Sequence, residues 1–195
     1  YKGERLVNWD PKFKTAISDL EVENIEVDGY FWHIKYPLKN EENYDYIEQD
    51  ENGKISFKDN RNYISIATTR PETMLGDGAI AVHPDDKRYK NIIGKEVIIP
   101  IANRAIPIIA DEYPDPNFGS GAVKITGAHD FNDYSVAKKH KLDFFKLMDE
   151  SACLLNEDFI PKKYRGLERF KAREILVEEL DLSLIHISEP TRRHS

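Results

Sequence analysis

A chain of 195 residues is long enough for one folded domain with its own core, and 40% hydrophobic and 11% aromatic residues exclude a disordered protein. A formal net charge of −7 argues against a protein that binds a long stretch of nucleic acid through its phosphates. It is compatible with a protein that contacts only the end of a single strand. The single cysteine, Cys153, excludes a disulfide framework and a cysteine-rich zinc site. With no apolar run of about 18 residues and no signal-peptide pattern, we expect a cytoplasmic protein without membrane contact.

The N-terminal third combines a weakly patterned flank with two β signals. Residues 1–28 carry a turn signal at Asp10-Pro11 but little periodicity, and we interpret them as a flank of the main domain. The aromatic-rich segment Gly29–Tyr36 stops before a proline and predicts a strand. Residues 39–61 are polar and acidic, and their Asn52-Gly53 dipeptide predicts a hairpin excursion from the main body.

The middle of the chain predicts short strands around one short helix. Tyr63–Thr68 alternates apolar and polar residues as a strand does. Thr69 suits a helix cap and Pro71 a first helical position, so a short helix is expected before Asp77. Further short runs rich in β-branched residues predict strands at residues 79–82, 97–99, 105–110 and 122–126.

The segment Phe118–Asp133 gathers the polar residues that suggest a site. A glycine-rich turn leads into the strand that carries Lys124 and Thr126, and a second turn leads to Asp130, a natural helix N-cap. A lysine, a hydroxyl and two carboxylates then suit a small substrate that has both an ammonium group and a hydroxyl. The alternative is structural: Asp130 and Asp133 would be a cap and an acidic first turn, and Lys124 a solvated strand residue.

The C-terminal part is expected to be helical. Helix signals run from Asp133 to His140, and Gly166–Leu180 is rich in helix formers. Residues 183–195 break this pattern, and we interpret them as a cloning-derived tail. The whole pattern predicts a mixed β/α fold, a small closed β-barrel of short strands with flanking helices. Its main domain would cover residues 29–160 and its C-terminal helical flank residues 161–182.

Two motifs carry a resemblance to a known family. Ala67-Thr-Thr-Arg-Pro-Glu-Thr-Met-Leu-Gly-Asp77 is similar to the threonine-rich motif of editing domains in class I aminoacyl-tRNA synthetases. Gly121-Ala-Val-Lys-Ile-Thr126, with Ala-His-Asp after it, resembles the valine enzymes, and so do Leu6–Pro11 and Lys163–Phe170. The likeness covers residues 1–182 but lacks both signatures of the ATP-using aminoacylation site. It implies an inserted editing domain with short flanks.

The resemblance implies a hydrolase that cleaves the ester of mischarged threonyl-tRNA(Val). Such a second site is needed because an apolar pocket that accepts valine cannot strongly reject an isostere that carries a hydroxyl. The implied partners are the 3′ acceptor end of tRNA(Val) and the remainder of the parent synthetase, with a monomeric state and no cofactor. The alternative function is a module that binds the acceptor end of the tRNA and turns over little when isolated.

The same resemblance assigns the amino-acid half of the substrate to four residues. Asp133 would bind the α-ammonium group. Lys124, Thr126 and Asp130 would contact the threonine hydroxyl, and valine would leave these polar groups without a partner.

The resemblance also implies roles for the threonine-rich motif in catalysis and for Phe118 and Arg70 in binding the terminal nucleotide. Thr68 and Thr69 would position the ester and its attacking water, and together with Asp133 they form the expected catalytic set. Phe118 would stack on the terminal adenine, and Arg70 would lie near its ribose or phosphate.

A zinc site is a minor alternative, and two residues differ from the pattern of the family. His83 and His129 could join Asp130 as zinc ligands, but the spacing matches no familiar zinc motif, so no metal is expected. Gly127 and Phe131 stand where the family commonly has prolines, which predicts a looser loop without loss of a polar group.

Overall fold

The structure is a computed structural model and describes residues 6–23, 30–182 and 188–192. In these three spans, no helix combines the length and the apolar character needed to cross a membrane. The ends of the expected N-terminal flank and most of the expected tail, residues 183–187 and 193–195, lie outside the described residues.

The N-terminal flank contains a small hairpin that the sequence analysis did not predict. Strands β1 (Asn8–Asp10) and β2 (Thr15–Ile17) pair antiparallel. The predicted turn between them is confirmed, since Asp10 Oδ1 accepts hydrogen bonds from the amides of Lys12 and Phe13 at 2.7 and 3.0 Å. Strands of three residues are too short to show the alternation on which strand prediction depends.

Four strands of the N-terminal half agree with the sequence-based expectations. β3 (Tyr30–Pro37) is followed by the hairpin of β4 (Tyr44–Gln49) and β5 (Ile55–Arg61). The turn of this hairpin includes Gly53, whose φ of 78° lies in the left-handed region that glycine adopts easily. β6 (Tyr63–Thr68) returns antiparallel to β3, so the hairpin is an excursion between two paired strands.

The short helix after β6 is a 3₁₀ helix, Pro71–Gly76, and all six of its residues are buried. The expected cap at Thr69 is wrong. The N-cap position is taken by Arg70, which makes no side-chain cap bond, and Thr68 Oγ1 instead accepts the amide of Arg70 at 3.1 Å.

A four-stranded sheet forms the other half of the domain. β7 (Ala79–Val82), β8 (Glu96–Ile98), β9 (Ala105–Ala110) and β10 (Ala122–Ile125) lie in the order β10-β7-β9-β8. The β7–β9 pair is parallel, and the other two pairs are antiparallel. All four strands were expected, within one residue at their ends.

Two α-helices complete the described chain. α1 (Phe131–Lys139) begins at the predicted cap, and α2 (Arg169–Leu182) starts three residues later than the expected Gly166. Gly166 has a φ of 76° and lies in the preceding turn, which explains the shorter helix. A last strand, β11 (Ser188–Arg192), pairs with β3, and the cloning-derived origin of this segment stays a prediction.

The closed barrel expected from the sequence is wrong, because the sheets are not closed. β6 and β10 pack together but belong to different sheets. Among the described residues, an isolated bridge between Leu38 and Val97 joins the end of β3 to β8. The outer strands β8 and β10 have only three and four residues, too few to continue the ladder around a ring.

The main core lies between β3, β6 and the four-stranded sheet, and a smaller cluster lies where α1 covers β7 and β10. The large side chains of the main core are fully buried, among them Tyr36, Ile64, Ile80, Tyr89 and Ile106. The smaller cluster contains Ala79, Ala81, Ile125, Val136 and Ala137. This second cluster packs α1 against the C-terminal end of β10, next to Thr126 and Asp133.

Gly127 lets α1 approach that strand end closely. A Cβ at this position would lie 2.7 Å from the Cβ of Ala137 and 3.1 Å from the ring of Phe144. The looser loop expected at Gly127 is therefore wrong, since the residue is buried and packed on both sides. Phe131, the other departure, is half exposed.

Gly127→Ala is expected to lower the free energy of unfolding by about 1–3 kcal/mol through this overlap. Ala137→Gly alone should cost about 1 kcal/mol of helix propensity, yet in the double variant it should recover part of the first loss. Urea denaturation of the parent, both single variants and the double variant measures the coupling. Strictly additive losses would contradict the packing described at Gly127.

Candidate functional site

Lys124 lies at the centre of a buried polar network. Its Nζ donates to Thr126 Oγ1 at 2.5 Å, to Thr73 Oγ1 at 2.7 Å and to Asp77 Oδ1 at 3.1 Å. The side chain is 10% exposed. The solvated-lysine alternative is therefore wrong, because all three protons of the ammonium group have partners inside the protein.

Asp77 supplies the negative charge of this network. It is fully buried and accepts hydrogen bonds from Tyr36 Oη at 2.8 Å and Thr126 Oγ1 at 2.6 Å, besides the bond from Lys124. Burial raises the pKa of Asp77, and the charge of Lys124 and the two hydroxyl donors oppose this rise. The pair satisfies the rule that a buried charge must be matched and hydrogen-bonded.

Asp133 lies in the first turn of α1 and joins the network through the backbone. Its Oδ2 accepts the amide of Thr126 at 2.8 Å, and the residue is 6% exposed. Burial raises the pKa of Asp133 to about 6, although the amide of Thr126 and the charge of Lys124 oppose the rise. A carboxylate that is this poorly solvated gains free energy when a cation pairs with it.

Asp130 is the helix cap that the structural interpretation expected. Its Oδ1 accepts the amides of Asn132 and Asp133 at 2.8 and 3.1 Å, and it is partly exposed. These bonds fix the N-terminus of α1 and with it the position of Asp133. A contact between Asp130 and a substrate hydroxyl stays a prediction.

The threonine-rich segment faces this helix start. Thr68 is buried, whereas Thr69 and Arg70 are exposed. Thr73 Oγ1 donates to the carbonyl of Arg70 at 2.9 Å, which links the segment to the Lys124 network. Arg70 Nη1 donates to the carbonyl of His129 at 3.4 Å, so its guanidinium spans the gap between the two predicted motifs.

Phe118 lies outside the hydrogen-bonded network. It ends a turn in which its amide donates to Asp115 and its carbonyl accepts from Gly121, both within 3.1 Å. Its ring is 64% exposed. A ring that packs in the core would be buried, so the exposure leaves its face accessible for stacking.

The two histidines of the zinc alternative have ordinary structural contacts. His129 Nε2 accepts the amide of Leu147 at 2.8 Å, and His83 Nδ1 accepts the amide of Asp85 at 3.2 Å. Burial and the positive charges of Arg70 and two lysines lower the pKa of His129 to about 4. His129 is therefore a neutral hydrogen-bond acceptor that links the loop after β10 to the backbone at Leu147.

The structure thus brings most of the predicted residues to one place and adds three that were missed. Lys124, Thr126 and Asp133 are directly joined, and Thr68 and Arg70 connect to them through Thr73. The three missed residues of the network are Tyr36, Thr73 and Asp77. The last two stand inside the quoted threonine-rich motif and could have been found there, whereas nothing near Tyr36 in the sequence indicates a polar partner.

Comparison with known proteins shows which family the chain belongs to. Residues 1–179 match the family of class I tRNA synthetases (I, L, M and V). The chain belongs to this family. Its curated relatives include valine–tRNA ligases from Ruegeria pomeroyi (54% identical, 92% of this chain and 21% of the relative), Caulobacter vibrioides (55%, 91% and 19%) and Xanthomonas campestris pv. campestris (49%, 97% and 20%). The chain spans about a fifth of the length of these ligases.

A solved structure supports the class I synthetase fold. The ternary complex of Agrobacterium radiobacter K84 LeuRS with tRNA and LeuAMS matches with a TM-score of 0.54 at 18% sequence identity. The match covers 87% of this chain and 20% of that chain. At this level of identity the likeness concerns the fold, which is the mixed β/α architecture described above.

Proposed function

We propose that this chain is the editing domain of a valine-specific class I synthetase and hydrolyses the ester of mischarged threonyl-tRNA(Val). The observation that carries the proposal is Asp133, a buried carboxylate held beside the lysine–hydroxyl network. The similarity to valine–tRNA ligases supports the same substrate class.

Asp133 binds the α-ammonium group of the substrate amino acid. The amide of Thr126 fixes one carboxylate oxygen at 2.8 Å and so orients the group. Because burial raises its pKa to about 6, Asp133 is ionised at neutral pH but poorly solvated. An ammonium group of the substrate then stabilises the negative charge of Asp133, which is poorly solvated by water.

The threonine hydroxyl is recognised at the edge of the network formed by Lys124 and Thr126. Both side chains are donors already engaged with Asp77, so a substrate hydroxyl must exchange with an existing bond. A hydroxyl can replace the bond it displaces, whereas the methyl group of valine cannot. Valine is therefore refused at a cost of about 1–3 kcal/mol for each group left unpaired.

Water is the nucleophile of the proposed reaction. Its oxygen attacks the ester carbonyl, the bond to the ribose oxygen breaks, and a proton passes to that oxygen, which releases threonine and free tRNA. Thr68 and Thr69 position the ester and the water through hydroxyl and backbone groups, helped by the free hydroxyl of the terminal ribose. Cys153 has no part in this mechanism: its thiol donates to the carbonyl of Ser151 at 3.9 Å, and its backbone forms a bridge with Glu168.

The partners of the proposed domain follow from the exposed residues. Phe118 stacks on the terminal adenine of the tRNA, and Arg70 contacts its ribose or phosphate. A net charge of −7 fits a small footprint on the 3′ acceptor end. The remainder of the parent synthetase supplies the other tRNA contacts and the aminoacylation site.

Ester hydrolysis by the chain itself tests the proposal. Threonyl-tRNA(Val) and valyl-tRNA(Val) are incubated with the chain, and the release of each amino acid is followed. Faster release of threonine is the expected result. Binding of tRNA without release above the spontaneous rate would instead favour the alternative, a module that holds the acceptor end.

Phe118→Ala is expected to weaken binding of a threonyl-adenosine analogue by about 1–3 kcal/mol through loss of stacking. Phe131→Ala is the matched control, because that ring is also half exposed but has no assigned contact with the adenine. Calorimetric titration of both variants measures the difference. Equal affinity in Phe118→Ala and the parent would contradict the stacking role.

A further inference from the structure

A buried ion pair joins helix α2 to the 3₁₀ helix that follows the threonine-rich segment. Arg173 Nε and Nη2 donate to the two carboxylate oxygens of Glu72, each at 2.7 Å. Glu72 is 1% exposed, and three quarters of the Arg173 side chain is buried. A guanidinium that bonds both oxygens fixes angle as well as distance. The pair therefore anchors the 3₁₀ helix to α2.

The same 3₁₀ helix is held from a second side by the candidate site. Thr73, the residue after Glu72, accepts a hydrogen bond from Lys124 and donates one to the carbonyl of Arg70. Adjacent residues of a 3₁₀ helix point about 120° apart, so Glu72 and Thr73 anchor it to different neighbours. Arg173 and Lys124 hold the helix from two directions.

Arg173 also contacts β3, the strand that pairs with the start of the threonine-rich segment. Its guanidinium carbon lies 5.8 Å from the ring centroid of Trp32. Trp32 is the partner of Thr68 in the β3–β6 ladder. One side chain of α2 thus touches Glu72, which follows Thr68–Arg70 in the chain, and Trp32, the cross-strand partner of Thr68.

Stability alone is a weak explanation for such a pair. A buried ion pair can often be replaced by apolar residues of similar volume without loss of stability, although removing one partner is costly. We propose that Arg173 is a positioning residue, which acts through Glu72 to hold Thr68–Arg70 in the geometry that ester hydrolysis requires. This inference rests on the proposed function of the site.

Two variants of the 195-residue chain separate an effect on the position of Thr68–Arg70 from an effect on the stability of the fold. Arg173→Met leaves Glu72 buried and unpaired, whereas Glu72→Met/Arg173→Met replaces the whole pair with apolar side chains. We expect kcat for threonyl-tRNA hydrolysis to fall by roughly a hundred-fold in both, with little change in KM, because a small displacement of positioning groups costs about this much. The melting temperature should fall in the single variant and recover in the double variant.

Arg173→Lys provides a conservative comparison and Lys171→Met a control. The lysine keeps the charge but cannot bond both oxygens, so its kcat should lie between those of the parent and Arg173→Met. Lys171 pairs with Glu174 on the exposed side of the same helix, and its replacement should leave kcat unchanged. Recovery of kcat together with melting temperature in the double variant would overturn the positioning role.

Amide hydrogen exchange keeps the inference testable if the parent chain hydrolyses no ester. That result would reject the proposed function but would not test whether Arg173 holds residues 68–76 in place. Exchange at residues 68–76 should then be faster in the double variant than in the parent, while residues 44–61 of the hairpin serve as an internal reference. Equal exchange at residues 68–76 in the two chains would overturn the claim that Arg173 holds this segment.

Discussion

Lys124→Met is expected to lower the free energy of unfolding at pH 7 by about 3–5 kcal/mol, a large part of the stability of a typical domain. Asp77 is fully buried, and the substitution removes the cation that lies 3.1 Å from it. Thr73 and Thr126 lose a hydrogen-bond donor in the same step. Urea denaturation followed by tryptophan fluorescence measures the loss.

The pH dependence of that loss identifies its cause. Burial raises the pKa of Asp77, so its carboxyl group should take up a proton on acidification once Lys124 is gone. The penalty is full above the folded-state pKa of Asp77 and relieved below it, so the loss should shrink as the pH falls. Lys39→Met is the control, because Lys39 and Glu96 form an exposed pair that contributes at most about 1 kcal/mol. An equally small loss for Lys124→Met would show that Asp77 does not depend on it.

Asp133→Asn is expected to abolish threonyl-tRNA hydrolysis and, at the same time, to make the fold more stable at pH 7. Asparagine keeps an oxygen that can accept the amide of Thr126 but cannot pair with an ammonium group. Activity per folded molecule should therefore fall to the spontaneous rate, while the melting temperature rises. A structural role in the first turn of α1 predicts the reverse, a lower melting temperature with activity retained.

The gain in stability has a definite pH window. The pKa of Asp133 rises from 3.8 in the unfolded chain to about 6 in the folded protein, so between these values the folded state binds the proton more tightly. The stability of the parent consequently falls as the pH rises through this window, and the full penalty of up to about 3 kcal/mol applies above pH 6. The advantage of Asp133→Asn should vanish below about pH 4. A constant advantage from pH 4 to 8 would mean that ionisation of Asp133 is not its cause.

Features encoded by neighbouring residues could be predicted from the sequence. The turn at Asn52-Gly53 and the cap at Asp130 depend on contacts within a few positions, and the alternation of Tyr63–Thr68 is a local sequence pattern. The three-residue strands of the N-terminal hairpin were missed because such short segments show no period. Barrel closure was predicted wrongly because hydrogen bonding between distant strand edges leaves no local trace.

The candidate site shows the same division. Lys124, Thr126 and Asp133 could be selected because they stand close together in a recognisable motif. Their partner Asp77 and the pair of Glu72 with Arg173 come from segments far away in sequence, and no local pattern indicates which of them meet. This is why the sequence did not indicate that the ammonium group of Lys124 is already engaged with Thr73, Asp77 and Thr126.

The long sequence separations within the polar network have a consequence for the order of folding. Asp77 bonds to residues 41, 47 and 49 positions away, and Lys124 bonds to Thr73 across 51 positions. Closing such loops costs chain entropy that only a largely formed core can offset. We therefore expect the network to form late in folding, after β3, β6 and β10 have met. During synthesis on the ribosome, a nascent chain that stops short of Asp133 can pair β3 with β6 and still lack the buried carboxylate of the candidate site.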